Sequence, residues 1–181
     1  MKKSKINTKK FLIISIISML TIFLMISLTS CTRKISLYFA VSTDTDVYLT
    51  EEIREIPVSK ELYKNVVEEL VKGPESDQFF PTIPSNVKVN SVKISEGTAT
   101  VDFSKEIITN FQEIPHSTTT ERLAIFSIVN TLTEFEEINK IKITIEGKDS
   151  GQVDGLYIED FWGHVGIYEE FTRDETIIKN S

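Results

Sequence analysis

Two histidines, a single cysteine and several clusters of acidic side chains are where chemistry could reside in this 181-residue chain. His116 and His164 stand far apart, without the short ligand spacing of a metal-binding helix or ribbon. Cys31, being alone, excludes an intrachain disulfide and a multi-cysteine zinc site. Asp44-x-Asp46 with Glu51 and Glu52 offers the alternating carboxylates of a calcium loop but lacks its central glycine and twelfth-position glutamate, so a solvated hairpin turn is expected. Asp102 with Glu106, or Asp154 with Glu159 and Asp160, can be drawn as the acid/base pair of a carboxylate-based hydrolase, although an acidic surface produces such pairs by chance. Ser117 to Thr120 can hold an anion at a helix N-terminus or, more simply, cap the helix's own N–H groups. Trp162 near Tyr157, Phe161 and Tyr168 can stack on a sugar or pin the tail to the domain. No G-x-S-x-G and no phosphate-cradling glycine loop are present. The expectation is no catalytic, metal or cofactor-binding residues, and a protein that is not an enzyme.

The N-terminus speaks more clearly. Residues 11–29 run without a charge behind Lys2, Lys3, Lys5, Lys9 and Lys10, the pattern of a membrane-directing segment. Leu28-Thr29-Ser30-Cys31 resembles a bacterial lipobox, which implies a signal peptide over 1–30, a diacylglycerol on the Cys31 thiol and acylation of the new amino group. More than one acyl chain matters, because a single one holds a protein only marginally. The competing reading is an uncleaved signal anchor. Either way the lysines stay cytoplasmic and the rest is tethered at the outer, extracytoplasmic face of the cell membrane. Without residues 1–30 the chain keeps 15 basic against 27 acidic side chains, a formal charge of -12. Such a domain repels phosphate backbones, so nucleic acid is excluded as a partner.

The exported part divides into a tether over 31–34, a core over 35–147 and an extension over 148–181 packed on or flanking that core. Ile35, Leu37, Phe39 and Val41 alternate as a half-buried strand, and residues 47–56 pair back on it. A helix follows, with its N-cap near Ser59, an apolar face through Leu62, Val66, Val67 and Leu70, and a stop at Gly73-Pro74. Val87 and Val89 have the opposite parity to Val92 and Ile94, which demands an irregularity near Asn90-Ser91. Ser95-Glu96-Gly97 turns into a strand with Ala99, Val101 and Phe103 inward and Thr98, Thr100 and Asp102 outward. Thr118-x-x-Glu121 matches a capping box ahead of the apolar helix 123–132, and Ile141, Ile143 and Ile145 form the last strand. The order β-β-α-β-β-α-β predicts an α+β fold, with a mainly antiparallel sheet of about five strands and two helices on one face.

The stretch Ser91–Ser104, followed by Glu121-Arg122-Leu123-Ala124-Ile125-Phe126 and on to Phe135, resembles the GerM domain, a family of sporulation and spore germination proteins. Leu37-Tyr38-Phe39-Ala40, the helix ending Gly73-Pro74, Ile145-Glu146-Gly147 and Phe171-Thr172-Arg173-Asp174 agree with it in order and spacing. The resemblance implies a ring-building type of fold, a lipoprotein, and a structural or assembly role without catalysis. The expected partners are the membrane through the lipid anchor, other copies, or other envelope and sporulation proteins. Thr98, Thr100 and Asp102 are the candidate interaction face. The rival reading is a lipoprotein that binds a cell-wall sugar or germinant.

Overall fold

The alternation of Ile35, Leu37 and Phe39 becomes strand β1 (Thr32–Ser42) in the computed structural model, which describes Ser15, Ser18 and residues 31–179. The segment 1–30, expected to be a signal peptide, therefore lies, but for those two helical serines, outside the described residues. The chain divides into Met1–Thr32 and Arg33–Ser181, and the second unit carries the fold. Because β1 begins at Thr32, the expected tether over 31–34 shrinks: residues 32–34 belong to the strand.

β1 pairs with β2 (Val47–Pro57) across a turn in which the Thr43 N–H donates to the Asp46 carbonyl at 2.8 Å. Helix α1 (Leu62–Val71) buries Leu62, Val66, Val67, Leu70 and Val71. Its N-cap is Glu61, not Ser59; the Ser59 hydroxyl lies one turn early, accepting from the Glu61 N–H and the Asn65 amide at 3.1 Å each. Strands β3 (Val89–Ser95) and β4 (Thr98–Phe103) form an antiparallel hairpin with the expected register shift between Val89 and Ser91. Its turn needs Gly97 (φ +79°), whose carbonyl accepts from the Asn139 and Lys140 N–H groups and where a Cβ would lie 2.8 Å from the Asn139 side chain. After a short helix α2 (Glu106–Thr109), α3 (Thr118–Leu132) crosses over to β5 (Lys140–Ile145).

The fold is α+β, as the periodicities predict, with one refinement of the sheet. The five strands fall into two sheets, β1-β2 and β3-β4-β5, and β5 runs parallel to β4. Residues 104–139 supply the long crossover that parallel neighbours require. Ala99, Val101, Phe103, Ile141, Ile143 and Ile145 turn one face of the three-stranded sheet to the helices and are at most 1% exposed. The 148–181 segment adds the short pair β6 (Gln152–Val153) and β7 (Leu156–Tyr157) and a 3-10 turn at Glu175–Ile177. It contributes Ile158, Phe161, Trp162 and Ile167 to the same core.

One buried cation closes the junction of β2 and α1. Arg54 is 7% exposed and donates to the Gly73 and Glu69 carbonyls at 2.6 and 3.1 Å, satisfying groups that the helix end leaves unpaired. It also pairs with Glu52 at 2.6 Å, whose carboxylate accepts from the Glu75 and Ser76 N–H groups. Burial works against the ionised Glu52, but the Ser76 N–H, Arg54 and the Glu75 N–H outweigh it and hold its pKa below the usual value.

Two outcomes follow. Val129 is fully buried on α3, so Val129→Asp places an unpaired carboxylate in the core and lowers unfolding free energy by about 3 kcal/mol or more in urea titration. A loss under about 0.5 kcal/mol would contradict this placement. Because the folded pKa of Glu52 is depressed, its contribution is present above the ordinary glutamate range and disappears as pH falls through the folded value. Wild type therefore loses more stability than Glu52→Gln between about pH 5 and pH 3, measured as melting temperature in matched buffers.

Candidate functional site

The outward side chains of β4 lie in three cross-strand rows. Thr100 stands between Lys93 of β3 and Lys142 of β5, Thr98 between Ser95 and Lys140, and Asp102 between Ser91 and Thr144. Thr98 and Thr100 are half-buried with free outer surfaces, and Lys93 is exposed. Asp102 differs, because its carboxylate is already engaged. It accepts from the Gly147 N–H at 2.7 Å, the Thr144 hydroxyl at 2.9 Å and the Asn90 amide at 3.0 Å. Lys140 and Lys142 pair with Glu170 and Asp149 at 3.1 and 2.7 Å along the border. The candidate face is thus a hydroxyl and lysine surface, with Asp102 acting as the clamp that holds the β4 to β5 end. The alternation located Thr98, Thr100 and Asp102 together; the flanking lysines become visible only once the pairing partners are known.

The acidic residue that organises most of its surroundings is Glu121. Its carboxylate, fully buried, accepts from the backbone N–H groups of His164 and Gly166 at 2.8 Å each and of Trp162 at 3.4 Å. The expected capping box at Thr118 and Glu121 is displaced by one residue. Ser117 is the N-cap and exchanges side-chain and backbone bonds with Thr120 at 3.2 and 3.0 Å, which leaves Glu121 free to collect the 160s loop. The Ser117 to Thr120 hydroxyls thus cap their own helix. The loop can wrap the carboxylate because Gly166 holds φ +77°, where a Cβ would lie 2.2 Å from the Tyr168 ring and 2.8 Å from the Glu159 carbonyl.

Trp162 sits in the floor of this arrangement. Its indole N–H donates to the Ile107 carbonyl at 2.7 Å, and its ring lies parallel to His116 (4.3 Å, 4°) and Phe161 (5.3 Å, 10°). At 6% exposed it offers no stacking platform for a sugar; it is a core residue. Both ring nitrogens of His116 are buried without a hydrogen bond. Burial pushes the His116 pKa down, and the Asn110 backbone and Glu121 offset this only partly, the former without reaching hydrogen-bond geometry. His164 is exposed and meets Glu121 only through its backbone.

The remaining acidic pairs are dispersed into separate contacts. Asp46 pairs with Lys179 and Glu51 accepts from Ser36 at 2.8 Å, while Glu52 belongs to Arg54. Asp154 pairs with Lys105 at 2.7 Å, Glu159 accepts from the Gly151 N–H at 2.9 Å, and Asp160 accepts from the Tyr168 hydroxyl. Among the described residues no group of three or more His, Cys, Asp or Glu side chains could hold a metal ion. Cys31 is exposed and immediately precedes β1. No described helix is long and apolar enough to cross a membrane.

Comparison with known proteins adds the following. A model of the Germane family, described as sporulation and spore germination, matches residues 36–151. The spore germination protein GerM of Bacillus subtilis (strain 168) is 29% identical over 111 residues, covering 59% of this chain and 29% of that protein, so the chain spans less than a third of its relative's length. In structure, the tandem GerMN domains of the sporulation protein GerM from Bacillus subtilis align with a TM-score of 0.62 at 23% identity, over 84% of this chain and 49% of that one. The first GerMN domain by itself aligns with a TM-score of 0.51 at 26% identity, over 73% of this chain and 96% of that domain.

The Glu121 arrangement makes a checkable demand. Glu121→Ala strands the buried N–H groups of Trp162 and Gly166 and the part-buried one of His164, and lowers stability by about 3 kcal/mol. The emission of Trp162, the only tryptophan, shifts to the red and the Trp162, His164 and Gly166 amides lose exchange protection. Unchanged emission and protection would mean that the loop is held by its apolar contacts alone.

Proposed function

The chain belongs to the Germane family of sporulation and spore germination proteins, and from that membership we propose that it is a membrane-anchored, extracytoplasmic assembly module that works without catalysis. The observation that carries the assembly reading is the outer face of the β3-β4-β5 sheet. A domain of formal charge -12 repels its own copies, yet this face presents Lys93, Lys140 and Lys142 around Thr98 and Thr100. Lys140 and Lys142 are paired with Glu170 and Asp149, and Asp102 lies on the same face, so the acidic charge of the domain is locally balanced there; such a flat polar face suits a weak contact with another acidic domain, of the same or a related chain. Such a contact gains strength once lipid anchoring raises the local concentration, so the domain is a monomer in dilute solution.

The anchor fits the same picture. Cys31 is exposed and so open to acylation, and β1 begins at the next residue. The rival reading, in which aromatic residues of the tail hold a wall sugar or germinant, loses its main platform because Trp162 is buried and stacked.

The test uses the lipidated protein in sporulating cells. Cys31→Ala leaves an uncleaved precursor without labelled fatty acid; unchanged labelling removes the lipoprotein reading. With Cys31 acylated, Thr100→Cys provides the only free thiol and yields disulfide or bismaleimide adducts with another copy or another envelope protein. Absence of adducts at Thr100, with wild-type labelling at Cys31, removes the sheet face as the assembly surface.

A further inference from the structure

At the far end of β1 from Cys31, an apolar groove of about 340 Å³ opens between the β1–β2 turn, the connector at Phe80, the 113–115 loop and the first turns of α3. Ala40, Ile114 and Leu123 contribute buried walls, while Val47 and Phe80 are 39% and 51% exposed at its lips. The exposed Phe80 ring does not arise from a loosely held loop. Phe80 is fixed to β1 by a reciprocal backbone pair with Ala40, at 2.8 and 3.2 Å. A large apolar ring held by backbone bonds beside an open apolar groove is a surface made for contact.

The charges around it select the occupant. No lysine or arginine lines the groove, whereas Glu113 does, held by the Ser85 N–H at 2.9 Å. Asp44 lies in the turn between the groove residues Ser42 and Val47, and Asp77 three residues before Phe80; both are exposed and neither joins an ion pair with a described cation. A second copy presenting the same end is repelled, and one presenting its lysine-bearing sheet face has only polar side chains there with which to fill an apolar groove. A bilayer surface carrying anionic lipid meets the same repulsion.

We propose that this groove docks a polypeptide segment of another envelope protein in which apolar side chains are flanked by lysine or arginine. The apolar side chains fill the space over Leu123 and Ile114 beside Phe80, and the cationic flanks meet Glu113, Asp44 and Asp77. That the occupant is an envelope protein rests on the anchored reading above; the preference for a cationic apolar segment rests on the groove itself.

Two measurements decide it. In the first, a fluorescent peptide alternating lysine and leucine, and a counterpart with glutamate for lysine, are titrated onto the full lipidated chain in neutral phosphatidylcholine vesicles. The lysine peptide binds and the glutamate peptide does not. Val47→Glu, at a partly exposed lip where folding tolerates a charge, weakens binding about tenfold although it adds an attractive charge. If Val47→Glu leaves binding unchanged or strengthens it, the peptide is held by diffuse charge alone and the groove is overturned as a docking site. In the second, a photo-reactive phenylalanine analogue at Phe80 is irradiated in sporulating cells and adducts are sequenced. Attachment to a heterologous protein, within a few residues of Lys or Arg, supports the proposal. Adducts only with a second copy, only with lipid, or none above those of the same analogue at Ile53 overturn it. Fatty-acid labelling of the same sample separates the two readings: an adduct on an unlabelled chain refutes the anchor and leaves the groove standing.

Discussion

The organising constraint of this domain is that helix α3 has almost no face left for water. From Leu123 to Leu132 only Phe126 is better than a tenth exposed, and the helix also buries Glu121, Ser127, Asn130 and Thr131. A polar group in such a place must find its partner in protein, or cost on the order of 1 to 3 kcal/mol. Each of the four does so in a different segment. Glu121 takes the 160s loop, and Ser127 meets the Thr82 hydroxyl at 2.8 Å. Asn130 exchanges two bonds with the Asp174 backbone at 3.0 and 3.1 Å, and Thr131 accepts from the Tyr38 N–H at 3.1 Å. The helix therefore does more than fill space: its polar residues assign positions to the irregular chain around it.

That assignment explains why β1 is buried on both faces although it alternates like a half-buried strand. Leu37 and Phe39 enter the main core, while Tyr38 and Ala40 join Leu49, Leu123 and Ile177 in a second cluster covered by the C-terminal segment. The Tyr38 hydroxyl bonds Glu134 at 2.7 Å and accepts from Arg173 at 2.8 Å, and Arg173 also donates to the Asn130 carbonyl at 2.8 Å. Burial, aided by Glu134, pushes the Tyr38 pKa up to about 12, so the phenol stays a neutral donor at any physiological pH. The last residues are thus bonded to both ends of α3, and the segment after 147 completes the core.

Local periodicity made the elements legible, because each has a clean period and a clear stop: Gly73 after α1, Gly97 between β3 and β4, the parity break at Asn90-Ser91. What remained illegible are the choices that depend on distant partners. Parallel pairing of β4 with β5 leaves no mark on either strand, since Ile141, Ile143 and Ile145 alternate as they would in an antiparallel pair. Glu121 fits a capping box one residue out of phase, and its partners are the backbone N–H groups of a loop some forty residues on, which carry no side-chain signature beyond Gly163 and Gly166. Trp162 stands among aromatic residues in the sequence, yet of these only Phe161 stacks on it, together with the distant His116, while Tyr157 and Tyr168 stay exposed. The face of Thr98, Thr100 and Asp102 was readable as a face; its charge was not, because Lys93 and Lys142 join it only through the sheet.

The same distinction bears on how an acidic module can assemble. Net charge acts at a distance of about a Debye length, roughly 8 Å at physiological salt, and keeps two such domains apart wherever their surfaces are uniformly acidic. Contact then selects places where the local sign departs from the global one. The lysine rows of the three-stranded sheet are such a place, since their pairing with Asp149 and Glu170 at the border balances the acidic charge and leaves Lys93 unneutralised. The groove beside Phe80 is the reverse case, a largely apolar surface with Glu113 in its lining and the exposed Asp44 and Asp77 close by in the chain, which on the proposed reading favours a cationic partner. The two proposed surfaces share no residue, so contact with a like domain at one and with an unlike one at the other would not compete on a single copy.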